Sequence, residues 1–144
     1  MAMLPFCGYN MGDYLQHWID MGKKAAQPPR IYSANWFRED EDGNVIWPGF
    51  GDNIRVLKWI IDRVKGRVSA KETPLGLIPD YDDFTLEGLD FPRDKFEKLF
   101  AINKDEWAQE TTDIVEFFNM FGSRMPLKIW GEYQSLKRQL DNNA

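Results

Sequence analysis

The sequences IYSANWF, residues 31–37, and VIW, residues 45–47, are rich in the β-branched and aromatic residues that favour strands. A polar segment, residues 38–44, separates them, and its Asp42-Gly43 dipeptide is a strong signal for a tight turn between antiparallel strands. The sequence therefore predicts a hairpin of two strands, residues 31–37 and 45–47, that reverses at Asp42-Gly43.

A turn and a helix are predicted directly after this hairpin. The sequence PGFG at residues 48–51 is typical of a tight turn, and apolar residues then recur at helical spacing over residues 54–64. Asp52 or Asn53 is expected to cap the start of this helix, and Gly66 is expected to end it.

The rest of the chain is predicted to be helical apart from one long irregular connection. Residues 11–22 show helical spacing, and Asn10 stands at the N-cap position. Residues 67–93 lose this periodicity and are punctuated by prolines. Further helices are expected around residues 96–100, from a capping box formed by Asn103 and Glu106 through Phe121 with Gly122 ending it, and after Pro126.

The composition is that of one folded domain. The chain has 144 residues, of which 43% are hydrophobic and 15% aromatic, enough to fill a core. The predicted fold class is α+β, mostly helical with one small antiparallel hairpin, in a single domain or fragment spanning residues 1–144. The net charge of −5 argues against a nucleic acid partner. Cys7 is the single cysteine and no segment approaches the ~20 apolar residues of a membrane span, so we expect a cytoplasmic protein without a membrane partner.

The sequence contains few residues suited to catalysis. His17 is the single histidine and lies in a predicted helix, with no signal that places Cys7 or a serine beside it. No glycine-rich phosphate loop of the form GxxxxGK[ST] or GxGxxG occurs. The acidic runs at residues 40–42 and 80–83 are interpreted as solvated turns. No catalytic residue and no metal ligand is therefore assigned.

One segment suggests ligand binding. If the hairpin brings Phe37 and Phe50 to one edge, two rings flank a slot suited to a purine, and Gly49 and Gly51 let the backbone approach closely. The side-chain amide of Asn53 is able to read a base edge. The alternative interpretation is that these aromatic residues form the core of the hairpin and that Asn53 belongs to an ordinary turn with an N-cap.

The same segments resemble a known family, the GTP-dependent phosphoenolpyruvate carboxykinases. The resemblance rests on PFCGYNMGDYLQHW at residues 5–18, PRIY at 29–32, NWFR at 35–38, WPGFGDN at 47–53, ETPLGLIP at 72–79 and LEGL at 86–89. It covers essentially the whole chain, and beyond about Phe100 it rests on helical pattern more than on ordered motifs.

The resemblance implies an activity and a set of site residues. The family enzyme, a lyase of gluconeogenesis, decarboxylates oxaloacetate with GTP to phosphoenolpyruvate, GDP and carbon dioxide, using manganese or magnesium. Phe37 and Phe50 are implied to sandwich guanine, and Asn53 to read its edge. The implied nucleotide-binding set is Trp36, Phe37, Phe50, Gly51, Asp52 and Asn53. Two positions depart from the commoner family pattern, Val45 in place of an aromatic residue and Asp52 in place of a glutamate.

The resemblance matches only the C-terminal part of that enzyme. Its phosphate loop, metal ligands and mobile lid match no segment of this sequence. We therefore expect a part of the C-terminal nucleotide-binding domain of a larger α/β enzyme, inactive and without a metal when alone, that binds guanine nucleotide weakly and has the remainder of the carboxykinase as its partner. Uncovered apolar surface, at residues 5–9 and along the edge of the predicted hairpin at residues 31–47, favours self-association. The alternative is a stand-alone interaction or ligand-binding module with an aromatic face.

Overall fold

The described residues, 3–142 of a computed structural model, are mostly helical, as predicted. They form five α-helices: α1 (Met11–Lys24), α2 (Asn53–Val64), α3 (Arg93–Leu99), α4 (Lys104–Asn119) and α5 (Leu127–Asn142). Short 3-10 helices lie at Leu4–Phe6, Phe50–Asp52 and Gly122–Arg124. One antiparallel pair of strands, β1 (Lys71–Thr73) and β2 (Gly76–Ile78), completes the fold and confirms the predicted α+β class.

Two predicted helix starts are confirmed by their hydrogen bonds. The side chain of Asn10 accepts from the backbone N–H of Gly12 at 2.8 Å at the start of α1. Asn103 accepts from the N–H groups of Asp105 and Glu106, and its amide donates to the Glu106 carboxylate at 3.2 Å. Each cap satisfies backbone donors that the first turn of a helix leaves unpaired.

The predicted strands at residues 31–37 and 45–47 do not form. The chain does reverse at Gly43, where φ is 80°, but the ladder is reduced to one isolated antiparallel bridge between Glu39 and Val45. Ile31 is 90% exposed, whereas Tyr32 and Trp36 pack against the core of the second unit as single side chains. A two-stranded hairpin is only marginally stable by itself, and this segment is held by those side chains without a ladder.

The hairpin of the fold lies instead in the segment predicted to be irregular. Thr73 pairs with Gly76 across a tight turn, and the Thr73 hydroxyl donates to the Gly76 carbonyl at 2.8 Å. Gly76 has a φ of 123°, a conformation that favours glycine. Because each strand has only three residues, the sequence carries too short an alternation to reveal it.

The described residues divide into two compact units. The first comprises residues up to Pro29 together with those from Asn103 onward, and the second comprises Arg30–Ile102. The core of the first unit is built on Met11, Phe121 and Met125. The core of the second unit is built on Ile46, Trp47, Trp59, Phe84, Phe91 and Phe96. The segment singled out in the sequence belongs entirely to the second unit.

Candidate functional site

The predicted site residues divide into buried supports and exposed rings. Trp36 packs partly buried against the core of the second unit, and Trp47 is buried within it. Phe37 is 76% exposed and Phe50 is 100% exposed. Within residues 3–142 their rings contact neither each other nor another aromatic ring. The two tryptophans therefore belong to the core of the second unit and the two phenylalanines do not, so the interpretation of all four residues as the core of a hairpin is wrong.

Phe50 is displayed by a strained turn. Its φ of 26° makes it the one residue other than glycine with a positive φ in the described part of the chain, and Gly49 before it has a φ of 78°. The carbonyl of Gly49 accepts from the N–H of Asp52 at 2.9 Å and closes the turn. Side chains adopt this region at an energetic cost that is concentrated at functional sites. The turn thus holds a large apolar ring fully in solvent, where it gains no burial.

The two residues expected to cap α2 have other partners. Asp52 occupies the N-cap position, but its side chain makes no capping bond and instead accepts from Nε of Arg55 at 2.8 Å. Asn53 accepts from the indole Nε1–H of Trp47 at 2.9 Å. The start of α2 is therefore held by side-chain bonds to Arg55 and Trp47, and the predicted side-chain cap is wrong.

Arg55 joins the start of α2 to a distant loop. Besides Asp52, its guanidinium donates to the backbone carbonyls of Thr85 and Glu87 at 3.1 and 3.0 Å. Its side chain is only 19% exposed, which favours a fixed geometry over a loose surface pair. Asp52 is thereby committed to a structural ion pair within the second unit.

Arg38 performs a similar role beside Phe37. Its guanidinium donates to the carbonyls of Leu99, the last residue of α3, and of Ala101, at 3.1 and 2.6 Å. Its own carbonyl accepts from the N–H of Ile46 at 2.8 Å. Sequence reasoning missed the roles of Arg38 and Arg55, because their carbonyl partners lie 30 or more positions away and backbone acceptors leave no sequence pattern.

The turn at residues 40–44, which lies between Phe37 and Phe50 in the sequence, is ordered by the carboxylate of Asp40. Asp40 accepts from the N–H groups of Asn44 and Asp42 at 2.8 and 3.0 Å. The hydrogen bond from the backbone of Asn44 is the main cause that lowers the pKa of Asp40 below its ordinary value. The acidic run at residues 40–42 is thus a hydrogen-bonded turn that supports Gly43, in agreement with its interpretation as a solvated turn.

The second acidic run also has structural partners. Asp82 pairs with Arg93 at 2.6 Å, and Asp83 accepts from the hydroxyl and the N–H of Ser69. In residues 3–142 no group of three or more His, Cys, Asp or Glu side chains is placed to hold a metal ion.

His17 and Cys7 lie in the first unit, whereas the segment at residues 35–53 belongs to the second. His17 is exposed on α1, its ring 6.4 Å from that of Trp18, and Cys7 is half-buried against the core of the first unit. Within the described range no helix is both long enough and apolar enough to cross a bilayer.

The second unit thus displays two exposed rings, Phe37 and Phe50, and holds the Asn53 amide at the start of α2 in a fixed orientation. The chain belongs to the GTP-dependent phosphoenolpyruvate carboxykinase family: the family model described as "Phosphoenolpyruvate carboxykinase C-terminal P-loop domain" matches residues 1–139. The resemblance seen in the sequence is confirmed by this match.

Curated relatives agree over nearly the whole chain. Phosphoenolpyruvate carboxykinase [GTP] of Corynebacterium jeikeium is 46% identical over 142 residues, which are 98% of this chain and 23% of that protein. The enzyme of the same name from Corynebacterium glutamicum strain R is 46% identical over 141 residues, and that from Renibacterium salmoninarum 43% identical over 142, each covering 97% of this chain. The chain spans 23% of the length of these relatives.

Proposed function

We propose that this chain forms the guanine-binding part of the C-terminal domain of a GTP-dependent phosphoenolpyruvate carboxykinase. The enzyme as a whole converts oxaloacetate and GTP to phosphoenolpyruvate, GDP and carbon dioxide. Membership of the family supports the assignment, and the observation that carries it is the display of Phe50, a fully exposed ring on a strained turn. Because the Phe50 ring buries no surface in this fold, we infer that it serves to bind a ligand.

Stacking supplies the binding energy in this proposal. Base–aromatic stacking is worth ~1–3 kcal/mol per base, and Phe37 and Phe50 both offer open ring faces. Trp36 supports the segment from the core side, Gly51 leaves the backbone open beside the ring, and Asp52 holds the turn through Arg55. Asn53 is the polar group that reads the base.

The phosphates and the metal are handled elsewhere in the enzyme in this proposal. Transfer of a phosphoryl group depends on positioning and on charge neutralisation by cations. This sequence has no phosphate loop of the form GxxxxGK[ST], and Arg38 and Arg55 are committed to backbone carbonyls within the second unit. We therefore expect weak binding of guanine nucleotide by the chain alone and no formation of phosphoenolpyruvate, with manganese or magnesium bound by the remainder of the carboxykinase.

The remainder of the enzyme is also the proposed cover for the apolar surface of α2. Ile54, Leu57, Ile61 and Val64 form one stripe at helical spacing and are each 48–64% exposed. When uncovered, such a stripe drives association between copies of the chain. The proposed location is the cytoplasm, because the chain has a single cysteine, Cys7, and the substrates of the family reaction are water-soluble.

A nucleotide titration tests the proposed function. The chain is titrated with GTP and with ATP by NMR chemical-shift changes, and Phe50→Ala is compared with Phe6→Ala, an exposed ring of the first unit. We expect GTP to bind more tightly than ATP, and Phe50→Ala to weaken GTP binding about tenfold, the equivalent of one stacked base. Equal shifts with both nucleotides, or equal effects of the two variants, would contradict the assignment and favour an interaction module.

A further inference from the structure

The hydrogen bond between Trp47 and Asn53 has only one possible direction. The indole Nε1–H donates and never accepts, so the Asn53 atom that lies 2.9 Å from it is the amide oxygen. The other end of the same amide is an NH₂ group, which donates to no protein acceptor among residues 3–142. The bond therefore fixes which end of the Asn53 amide remains available to a ligand.

Trp47 is itself a rigid anchor. It is 4% exposed, and its ring lies edge-on against those of Phe84 and Phe91, with centroids 6.1 and 5.4 Å away. A buried aromatic ring held on two sides does not change its rotamer without opening the core. The orientation of the Asn53 amide is thus determined by the core of the second unit and not by the solvent.

Asn53 and Phe50 belong to the same turn. The N–H of Asn53 donates to the carbonyl of Phe50, closing the 3-10 helix that precedes α2. Three positions separate the two residues along this turn, so the backbone that carries the Phe50 ring leads directly into the start of α2. In the proposed site a base stacked on Phe50 has its edge turned towards Asn53.

We propose that Trp47 is a positioning residue that sets the base preference of this site by holding the NH₂ group of Asn53 outward. The inference rests on the proposed function and adds the origin of its specificity. At the 6-position guanine carries an acceptor oxygen, whereas adenine carries a donor amino group. A fixed NH₂ group donates a hydrogen bond to the guanine oxygen. It cannot bond the adenine amino group, because both groups are donors.

The chain offers a matched pair of variants for the test. Trp59 is also buried in the core of the second unit, at 6% exposure, but its Nε1–H has no hydrogen-bond partner. Trp47→Phe and Trp59→Phe thus remove the same atoms, and only the first frees the Asn53 amide to rotate. We expect Trp47→Phe to reduce the preference for GTP over ATP by about threefold to tenfold, the worth of one hydrogen bond, and Trp59→Phe to leave it unchanged.

Asn53→Asp tests the same inference without altering the core. A carboxylate oxygen still accepts from Trp47, but the outward group becomes an acceptor, so the preference is expected to shift towards ATP. This variant decides the question if circular dichroism shows that Trp47→Phe does not fold. The indole N–H signal of Trp47 is a readout that needs no ligand: its exchange with solvent should be slow in the wild type and fast in Asn53→Ala.

The outcomes separate this inference from the proposed function. A wild type that prefers GTP, with Trp47→Phe or Asn53→Asp retaining the full preference, overturns the role of Trp47 and leaves the site intact. A wild type that binds GTP and ATP equally overturns both. Loss of preference in Trp47→Phe and in Trp59→Phe alike also overturns the inference, because core damage then accounts for the effect.

Discussion

The α-carbon of Gly12 in α1 packs directly against the backbone carbonyl oxygen of Arg124, so closely that a β-carbon at Gly12 would overlap that oxygen. Backbone atoms cannot move aside as the end of a flexible side chain can. We expect Gly12→Ala to destabilise the chain by ~1–3 kcal/mol, the usual cost of overpacking. Urea unfolding followed by circular dichroism measures this change.

A second glycine in the same helix is the matched control for Gly12→Ala. Gly22 also lies in α1, but a β-carbon there would meet no atom within 4 Å. Gly22→Ala should therefore stabilise the chain by up to ~1 kcal/mol, the difference in helix propensity. Equal effects of the two substitutions would show that the contact with Arg124 does not control stability.

The backbone of Phe50 predicts a conflict between stability and binding. Because its φ is 26° and its ring is fully exposed, Phe50→Gly relieves strain and loses no buried contact. We expect this substitution to stabilise the chain by ~1 kcal/mol while weakening nucleotide binding about tenfold, as for Phe50→Ala. Phe37→Gly, at an exposed position without a positive φ, should bring no gain in stability. Destabilisation by Phe50→Gly would show that the turn is not strained.

Asp62 predicts how stability depends on pH. Hydrogen bonds from Lys58 and Arg67, at 2.7 and 3.1 Å, lower the pKa of this carboxyl below its ordinary value of 3.8. A lowered pKa in the folded state means that the charged form stabilises the fold at pH values above about 4, and that this contribution is lost as the pH falls through the lowered pKa. The wild type should therefore exceed Asp62→Asn in stability at pH 7, and the difference should shrink towards pH 3.

The control for Asp62→Asn is Asp90→Asn, at an exposed carboxylate with no ion pair among the described residues. Unfolding by urea at a series of pH values gives both differences in the free energy of unfolding. A difference between wild type and Asp62→Asn that stays constant from pH 7 to pH 3 would rule out the ion-paired carboxylate as its source.

The exposed stripe of α2 predicts self-association of the isolated chain. Leu57 and Ile61 are 48% and 51% exposed at its centre, so Leu57→Glu with Ile61→Glu should abolish pairing without touching the core. Light scattering should give dimers or larger species for the wild type and 16.9 kDa for the double variant. Met120→Glu, at a 66% exposed position in the first unit, is the control. A wild type that stays monomeric at high concentration would refute the prediction.

Local sequence signals were sufficient for most of the helices. Asn10 and Asn103 indicate helix starts, because an N-cap needs only one side chain that accepts from backbone N–H groups two or three positions later. Gly66 follows α2 as predicted, with a φ of 68°, because a residue without a β-carbon adopts this conformation at little cost. The α4 helix ends at Asn119, a short way before the predicted end at Phe121, because a 3-10 helix at Gly122–Arg124 follows it.

The hairpin shows where local signals fail. Residues 31–37 have the composition of a strand, but Tyr32 and Trp36 pack against the core without strand pairing. The pairing of Thr73 with Gly76 instead depends on a turn whose strands are too short to show a period. Strand pairing depends on what packs against it, which a single segment does not encode.

By itself the sequence determined the family, the fold class and the identity of the candidate site residues. A contiguous motif such as residues 47–53 can be recognised without knowledge of the fold. Only the tertiary structure decided what those residues do: that Phe50 is fully exposed on a strained turn, that Asp52 is committed to Arg55, and that Asn53 bonds Trp47. The exposure of a side chain and the direction of its hydrogen bonds depend on neighbours that only the folded core brings together. The sequence alone therefore specifies neither property.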